Sequence, residues 1–268
     1  MQFVRLSVII NEIAFERLND MKIKKLSSIC ALHYIKLACR AALLLAAIVL
    51  YVVSRVRQAD DIFLGFERKF GILLIIWVAY VFEMACRFFP SRLESMGCQK
   101  QFARNYNPTC QEYSRSTNVW RVLLVVLSWV ALNGSIGLLY YFGIIDEGIL
   151  VLISLAYGVC DMICILFFCP FQTWMMKNRC CNTCRIYNWD FAMMFTPYIF
   201  VFKLYTWSLL GMSLLLLVRW EMTHLLHPER FEESTNASLH CKNCQEKLCQ
   251  HKTQLIGFIR KNKSRFGK

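Results

Sequence analysis

Residues 122–169 read VLLVVLSWVALNGSIGLLYYFG-IIDEG-ILVLISLAYGVCDMICILFFC. Two apolar runs, Val122–Gly143 and Ile149–Cys169, flank Ile144–Gly148, which carries Asp146 and Glu147. At about 1.5 Å per residue each run covers the roughly 30 Å hydrocarbon core of a bilayer as a helix. So short a link makes the pair a hairpin. Working outward, Tyr34–Val53, Phe70–Phe89 and Phe191–Val218 are further runs of this kind. The chain is expected to be an all-α integral membrane protein with about five transmembrane helices. The last run would be about 42 Å long as a straight helix, more than a bilayer core needs, so it must tilt, kink or break. Pro197 and Lys203 are the places for that. A straight fifth span is the leading expectation.

Composition agrees with this class. The chain is 57% hydrophobic and 14% aromatic with only 18% charged residues, too apolar for an ordinary soluble domain of this length. Its net charge is +13. Residues 250–268 contain basic but no acidic side chains, which suits anionic lipid headgroups better than nucleic acid, since no nucleic-acid module is present. The lipid bilayer, its headgroups and other membrane proteins are therefore the expected partners. Three regions follow: an amphipathic segment at 1–33, the helical domain at 34–218 and a basic Cys/His tail at 219–268.

Basic residues near the run ends crowd the side that carries the N-terminus and the loops Pro90–Arg121 and Pro170–Asp190, which the positive-inside rule places in the cytoplasm. A straight fifth span sends the tail to the other side. A broken, re-entrant one returns it.

Cysteines carry the chemistry, and the chain has 14. The two loops share a face whatever the fifth run does, so Cys98 and Cys110 lie on the same side as Cys180, Cys181 and Cys184, with Cys169 at its boundary. Cys98, Cys110, Cys181 and Cys184 are the expected ligands of one tetrahedral site, and Cys181-x-x-Cys184 has the spacing by which one turn offers two thiolates to a metal. In the tail, Cys241, Cys244 and Cys249 with His251 or His240 form a second candidate site. Zinc or an iron–sulfur cluster is the cofactor such thiolates suit in a reducing compartment; disulfides are the alternative in an oxidising one. Cys30, Cys39, Cys86, Cys160 and Cys164 are read as packing residues.

Within the apolar runs Glu83, Asp161 and Lys203 are the costliest residues to bury, and a shared charge cluster would lower that cost. Coupling of Asp161 to Lys203 is the specific expectation; Arg87, four residues after Glu83, offers that carboxylate a local partner. Lys36 and Arg40 are expected to snorkel toward headgroups. Asn133 is a candidate bridge between helices, and Asn236-Ala237-Ser238 matches a glycosylation acceptor. Glu221, His224 and His227 lack the His-Glu-x-x-His pattern of a zinc hydrolase and are read as solvent or headgroup contacts. No Walker loop, dinucleotide glycine pattern or nucleophile elbow occurs. The leading functional expectation is a membrane protein with a thiolate metal or redox centre on the face of the second and fourth loops. A scaffold or assembly factor with structural zinc is the alternative, and a small transporter is a third reading. Whether the chain is an enzyme stays open.

Overall fold

The computed structural model describes residues 27–57, 71–91, 94–111, 119–178, 180–249 and 252–253. The N-terminal amphipathic segment, His251 and most of the basic terminus lie outside them. The described residues are helical and contain no strand beyond one isolated bridge. The helices are α1 (Ser28–Arg57), α2 (Ile72–Arg87), α3 (Met96–Gln99), α4 (Val119–Tyr141), α5 (Glu147–Leu166), α6 (Asp190–Met194) and α7 (Leu204–Leu226). Four stretches are long and apolar enough to cross a membrane: Ser28–Val56, Val119–Tyr141, Glu147–Leu166 and Leu204–Leu226. α2 has 16 described residues, about 24 Å, short of a bilayer core. Their outward faces are apolar, with Leu45, Val49, Leu127, Val130 and Leu215 exposed.

α1 packs along α5, and α2 packs against α7. Between them lies a core of Tyr80, Met84, Leu155, Phe195, Tyr198 and Leu209. Asp146 starts α5 as its N-cap, its carboxylate accepting from the Ile149 N–H at 2.8 Å. It also accepts from the Tyr51 hydroxyl at 2.9 Å and pairs with Arg55, so the hairpin turn is tied to the far end of α1.

The long fifth run is broken. α6 ends at Met194 with Phe195 as its C-cap, residues Thr196–Phe200 form a 3-10 turn entered through Pro197, and Val201 and Lys203 are extended. Asp190 sits beside Arg87 at one end of the bundle, whereas Lys203 approaches Glu147 at the other, so 190–203 runs lengthwise without continuous helix. The straight fifth span is thereby corrected, and the physical reason is where the freed backbone groups go. Thr206 Oγ1 donates to Val201 O at 2.7 Å and accepts from the Lys203 N–H at 3.3 Å, and Ser154 Oγ donates to Met194 O at 2.8 Å. Irregular backbone is tolerated in a dry interior when side chains satisfy it this way.

Two glycines admit the broken segment. A Cβ on Gly158 would meet the Tyr80 hydroxyl at 2.6 Å and Met194 Sδ at 3.2 Å, and one on Gly137 would meet the Phe200 ring at 2.3 Å. The 196–200 turn packs on both α4 and α5 and wedges the hairpin helices apart. α7 then returns up the bundle, past the expected boundary at Val218 to Leu226, and delivers the tail to the end that holds the cysteine loops.

Candidate functional site

At that end the 88–111 loop, the 167–189 loop and the tail from His227 form one cap. The tail is stitched to the first loop by backbone hydrogen bonds, Thr109 N–H to Thr235 O at 3.1 Å and Ala237 N–H to Asn107 O at 2.8 Å. Asn236 is wholly buried; its Oδ1 accepts from the Asn107 N–H, and its Nδ2 donates to Arg230 O at 2.9 Å. Its amide is thus committed, and the glycosylation reading does not hold for the folded chain.

Two buried charges hold the cap together. Glu246 accepts hydrogen bonds from the Met96 N–H at 2.6 Å, Asn182 Nδ2 at 3.0 Å and Ser95 Oγ at 2.9 Å, one partner or more from each loop. Burial pushes its carboxyl above the usual range, and these hydrogen bonds only partly oppose the shift. Lys100, with no exposed surface, donates to Asn182 O at 2.8 Å and Cys184 O at 2.9 Å and lies over the Trp220 and Phe231 rings. Burial pushes its ammonium down to about 8. Charging it in the folded cap is costly, so its contribution to stability falls as pH drops from 10.5 to about 8 and is level below that. Sequence reading missed both residues, because nothing local marks a tail glutamate or a loop lysine as buried; only the return of α7 makes them so.

The cysteines divide into separate environments. Cys98 is buried, its thiol donating to Ser95 O at 3.1 Å, and burial pushes it up to about 12. Cys184 packs with Val125, Met176 and Ile186 and is pushed up to about 11 by burial. Cys110 is exposed. Cys181 donates to Gln172 Oε1 at 2.8 Å and accepts from Lys252 Nζ at 3.3 Å. The expected set of Cys98, Cys110, Cys181 and Cys184 is not drawn together: among the described residues no three Cys, His, Asp or Glu side chains gather as a metal ion requires. The tail set of Cys241, Cys244 and Cys249 is not closed around a centre either, and His240 bonds Glu233 O at 2.8 Å.

What forms instead is a column of thiols. A cavity of about 280 Å³ between α4 and α5 is lined by Cys160, Cys164, Cys169, Cys181 and Cys184 together with Asp161. Cys181 also lines a small void of about 40 Å³ that it shares with Cys180, Cys244 and Cys249. Cys180, Cys244 and Cys249 in turn line a polar cleft of about 970 Å³, where Cys241 joins them. Two pairs in this column are in thiol–thiol contact. The Cys180 thiol lowers Cys249 beside it to about 7, and Cys180 itself is pushed up. Cys164 donates to Cys169, which is likewise held down at about 7. Cys160 and Cys164, read as packing residues, therefore face a cavity.

Deeper in the bundle, Arg40 is the hub. Its guanidinium reaches Glu83 at 2.5 Å, Asp161 at 3.0 Å and the Gly158 carbonyl at 3.0 Å, joining α1, α2 and α5. It is 2% exposed and does not snorkel. Lys36 bonds Glu94 at 2.8 Å. Arg87 turns from Glu83 to Asp190 at 2.7 Å and Asn188 at 2.8 Å. Lys203 stands outside this group, 3.9 Å from Glu147 at the opposite end, so the expected Asp161–Lys203 pair gives way to Asp161–Arg40. Glu221, with about a third of its side chain exposed, also pairs with Arg185 and accepts from Trp189 Nε1 at 2.7 Å. Asn133 donates to Trp129 O in its own helix at 3.0 Å and bridges to no other helix among the described residues.

Compared with protein-family models, curated proteins and solved structures, the chain shows no significant match.

Proposed function

We propose that the chain is a multi-pass membrane protein whose cap carries a dithiol redox centre, formed by Cys180 of the second cap loop and Cys249 of the tail. The observation that carries this reading is that two thiols 69 residues apart line the same cleft and the same small void, near enough for Cys180 to lower the Cys249 thiol to about 7. A thiolate beside a thiol is the arrangement from which a disulfide forms and exchanges, because the thiolate is the nucleophile and its neighbour the resolving sulfur. The polar cleft beside the pair admits a soluble thiol or disulfide partner. Two electrons and the one proton of the Cys180 thiol leave the thiolate–thiol pair when it closes and return when it opens, with that partner as acceptor or donor. The test is differential alkylation with mass mapping across a series of dithiothreitol redox buffers. Cys180 and Cys249 are expected to lose reactivity together, at one potential, with a linked peptide appearing. Independent alkylation of the two at every potential would sink the reading.

Structural zinc is the second reading, because Cys180, Cys241, Cys244 and Cys249 all line the same cleft. Zinc would have to draw the Cys241–Cys244 turn inward onto the pair to reach sulfur distances of about 2.3 Å. Metal analysis of the purified full chain separates the two: stoichiometric zinc lost in Cys244→Ser favours the scaffold, and its absence favours the redox centre.

A further inference from the structure

The cavity between α4 and α5 is the site that the proposed redox reading leaves unused. It is closed by the 169–187 loop and by Met193 and Met194 of α6, and Cys160 on its rim is exposed on the outer face of α5, so it opens sideways from the bundle. Its walls are mainly apolar and aromatic: Trp129 lies 4.8 Å from the Tyr157 ring and 6.0 Å from Phe171, centroid to centroid. The Tyr157 hydroxyl is buried and has no hydrogen-bond partner among the described residues. A buried donor left unpaired forfeits its hydrogen bond to water, so it marks a missing acceptor. Asp161, one helical turn along α5, and Asp190 are the cavity's carboxylates, and Cys164 and Cys169 sit together in its wall. Apolar walls, stacking rings, one unpaired donor and a dithiol together describe a binding site for a flat, lipid-soluble molecule that has carbonyl acceptors and takes two electrons.

We infer that this cavity binds a membrane quinone, which oxidises Cys164 and Cys169 to a disulfide. The inference deepens the proposed redox function, on which it rests for the direction of electron flow, by naming the acceptor on the lipid side. The Cys169 sulfur, held as a thiolate by Cys164 and with Gln172 N–H at 3.3 Å, adds to a ring carbon of the quinone. The Cys164 sulfur then attacks Cys169: the S–S bond forms, the carbon–sulfur bond breaks and its electron pair stays on the ring. One S–H bond, that of Cys164, is lost, and the quinone takes both electrons, that proton and a second one from water to become the hydroquinone. Tyr157 donates to a quinone oxygen throughout, and Asp161 passes protons to the ring. Cys181, shared between this cavity and the void behind it, links the oxidised pair to Cys180 and Cys249 by thiol exchange.

The experiment uses the reduced full-length protein in lipid nanodiscs, without oxygen, mixed with decylubiquinone. The expected result is reduction of the quinone in proportion to protein, with a Cys164–Cys169 disulfide found by mass mapping. Cys164→Ser and Cys169→Ser should each abolish that disulfide, and Tyr157→Phe should raise the half-saturating quinone concentration about 10-fold, the loss of one hydrogen bond. Quinone reduction that persists in a Cys164→Ser/Cys169→Ser double variant, or no reduction at all, overturns the inference. Diamide, a soluble thiol oxidant, supplies the separate arm. If it still links Cys180 to Cys249 while the quinone does nothing, the cap reading stands and the quinone site falls. A quinone-driven Cys164–Cys169 disulfide upholds the inference whatever Cys180 and Cys249 do.

Discussion

Arg40 shows at the scale of one residue how burial is made tolerable here. One guanidinium faces two carboxylates and a helix carbonyl, and it also lies over the Tyr80 and Phe191 rings. Removing a buried charge strands its partners at a cost of about 3–5 kcal/mol, whereas removing the whole group can be nearly neutral. Arg40→Met is therefore expected to lower thermal stability in detergent strongly, with Glu83→Gln and Asp161→Asn in the same chain recovering much of the loss. Asp161→Asn and Lys203→Met should instead add, within about 0.5 kcal/mol, as distant sites do. Glu246 sets a pH dependence of opposite sense to an ordinary paired carboxylate. Its pKa lies above the free value of 4.5, so the folded cap holds the proton longer. Docking of the tail is strongest below pH 4.5 and weakens as pH rises through the elevated value. Glu246→Gln keeps an acceptor for the Met96 N–H and a donor for Ser95 without the charge. At neutral pH it is expected to slow tryptic cleavage at the exposed Lys247 relative to the unaltered chain, and the difference should vanish at low pH. Faster cleavage in the Gln variant at neutral pH would show that the carboxylate is docked as an anion.

Among the elements, the broken segment at 190–203 is the one on which the fold turns. Thr206 is its clasp, so Thr206→Val should cost about 0.5–1.5 kcal/mol by removing the hydroxyl's bonds to Val201 O and Lys203 O while the Lys203 N–H to Val201 O bond remains, and Thr206→Ser should cost little. Gly158→Ala drives a methyl group into the Tyr80 hydroxyl, and Tyr80→Phe should restore part of the lost stability, because that hydroxyl has no partner to lose. If Tyr80→Phe gives no relief, the close approach of α2, α5 and α6 at this level is not the constraint. Length and apolar composition are enough to read α1, α4 and α5 from the chain, since each is a long apolar run and the last two share a short turn. They are not enough for Phe191–Val218. An apolar run records burial, not direction, and Pro197 marks a place for a break without saying whether the chain turns back. The side chains that make turning back possible, Thr206, Ser154, Gly137 and Gly158, lie in three different helices.

On the scale of the whole molecule the same limit decided what could be seen of the site. That the two loops share a face with Cys98, Cys181 and Cys184 follows from counting crossings. Which sulfurs meet does not, because Cys180 finds Cys249 only if the tail comes back to that face, and Cys98 and Cys184 are drawn into packing by residues with no motif of their own. Arg40 was read as a headgroup contact for a similar reason: its partners Glu83 and Asp161 become its neighbours only when α1, α2 and α5 are packed. A cap built from both loops and the tail at one end of the bundle is the claim on which the redox reading and the quinone site both depend. It is tested most directly by treating sealed vesicles with a membrane-impermeant maleimide and mapping the labelled peptides. Cys110 and Cys241, both exposed in the cap, are expected to be labelled from the same face, and a cysteine introduced as Ile144→Cys in the α4–α5 turn from the other. Labelling of Cys110 and Cys241 from opposite faces would restore the straight fifth span and contradict the cap.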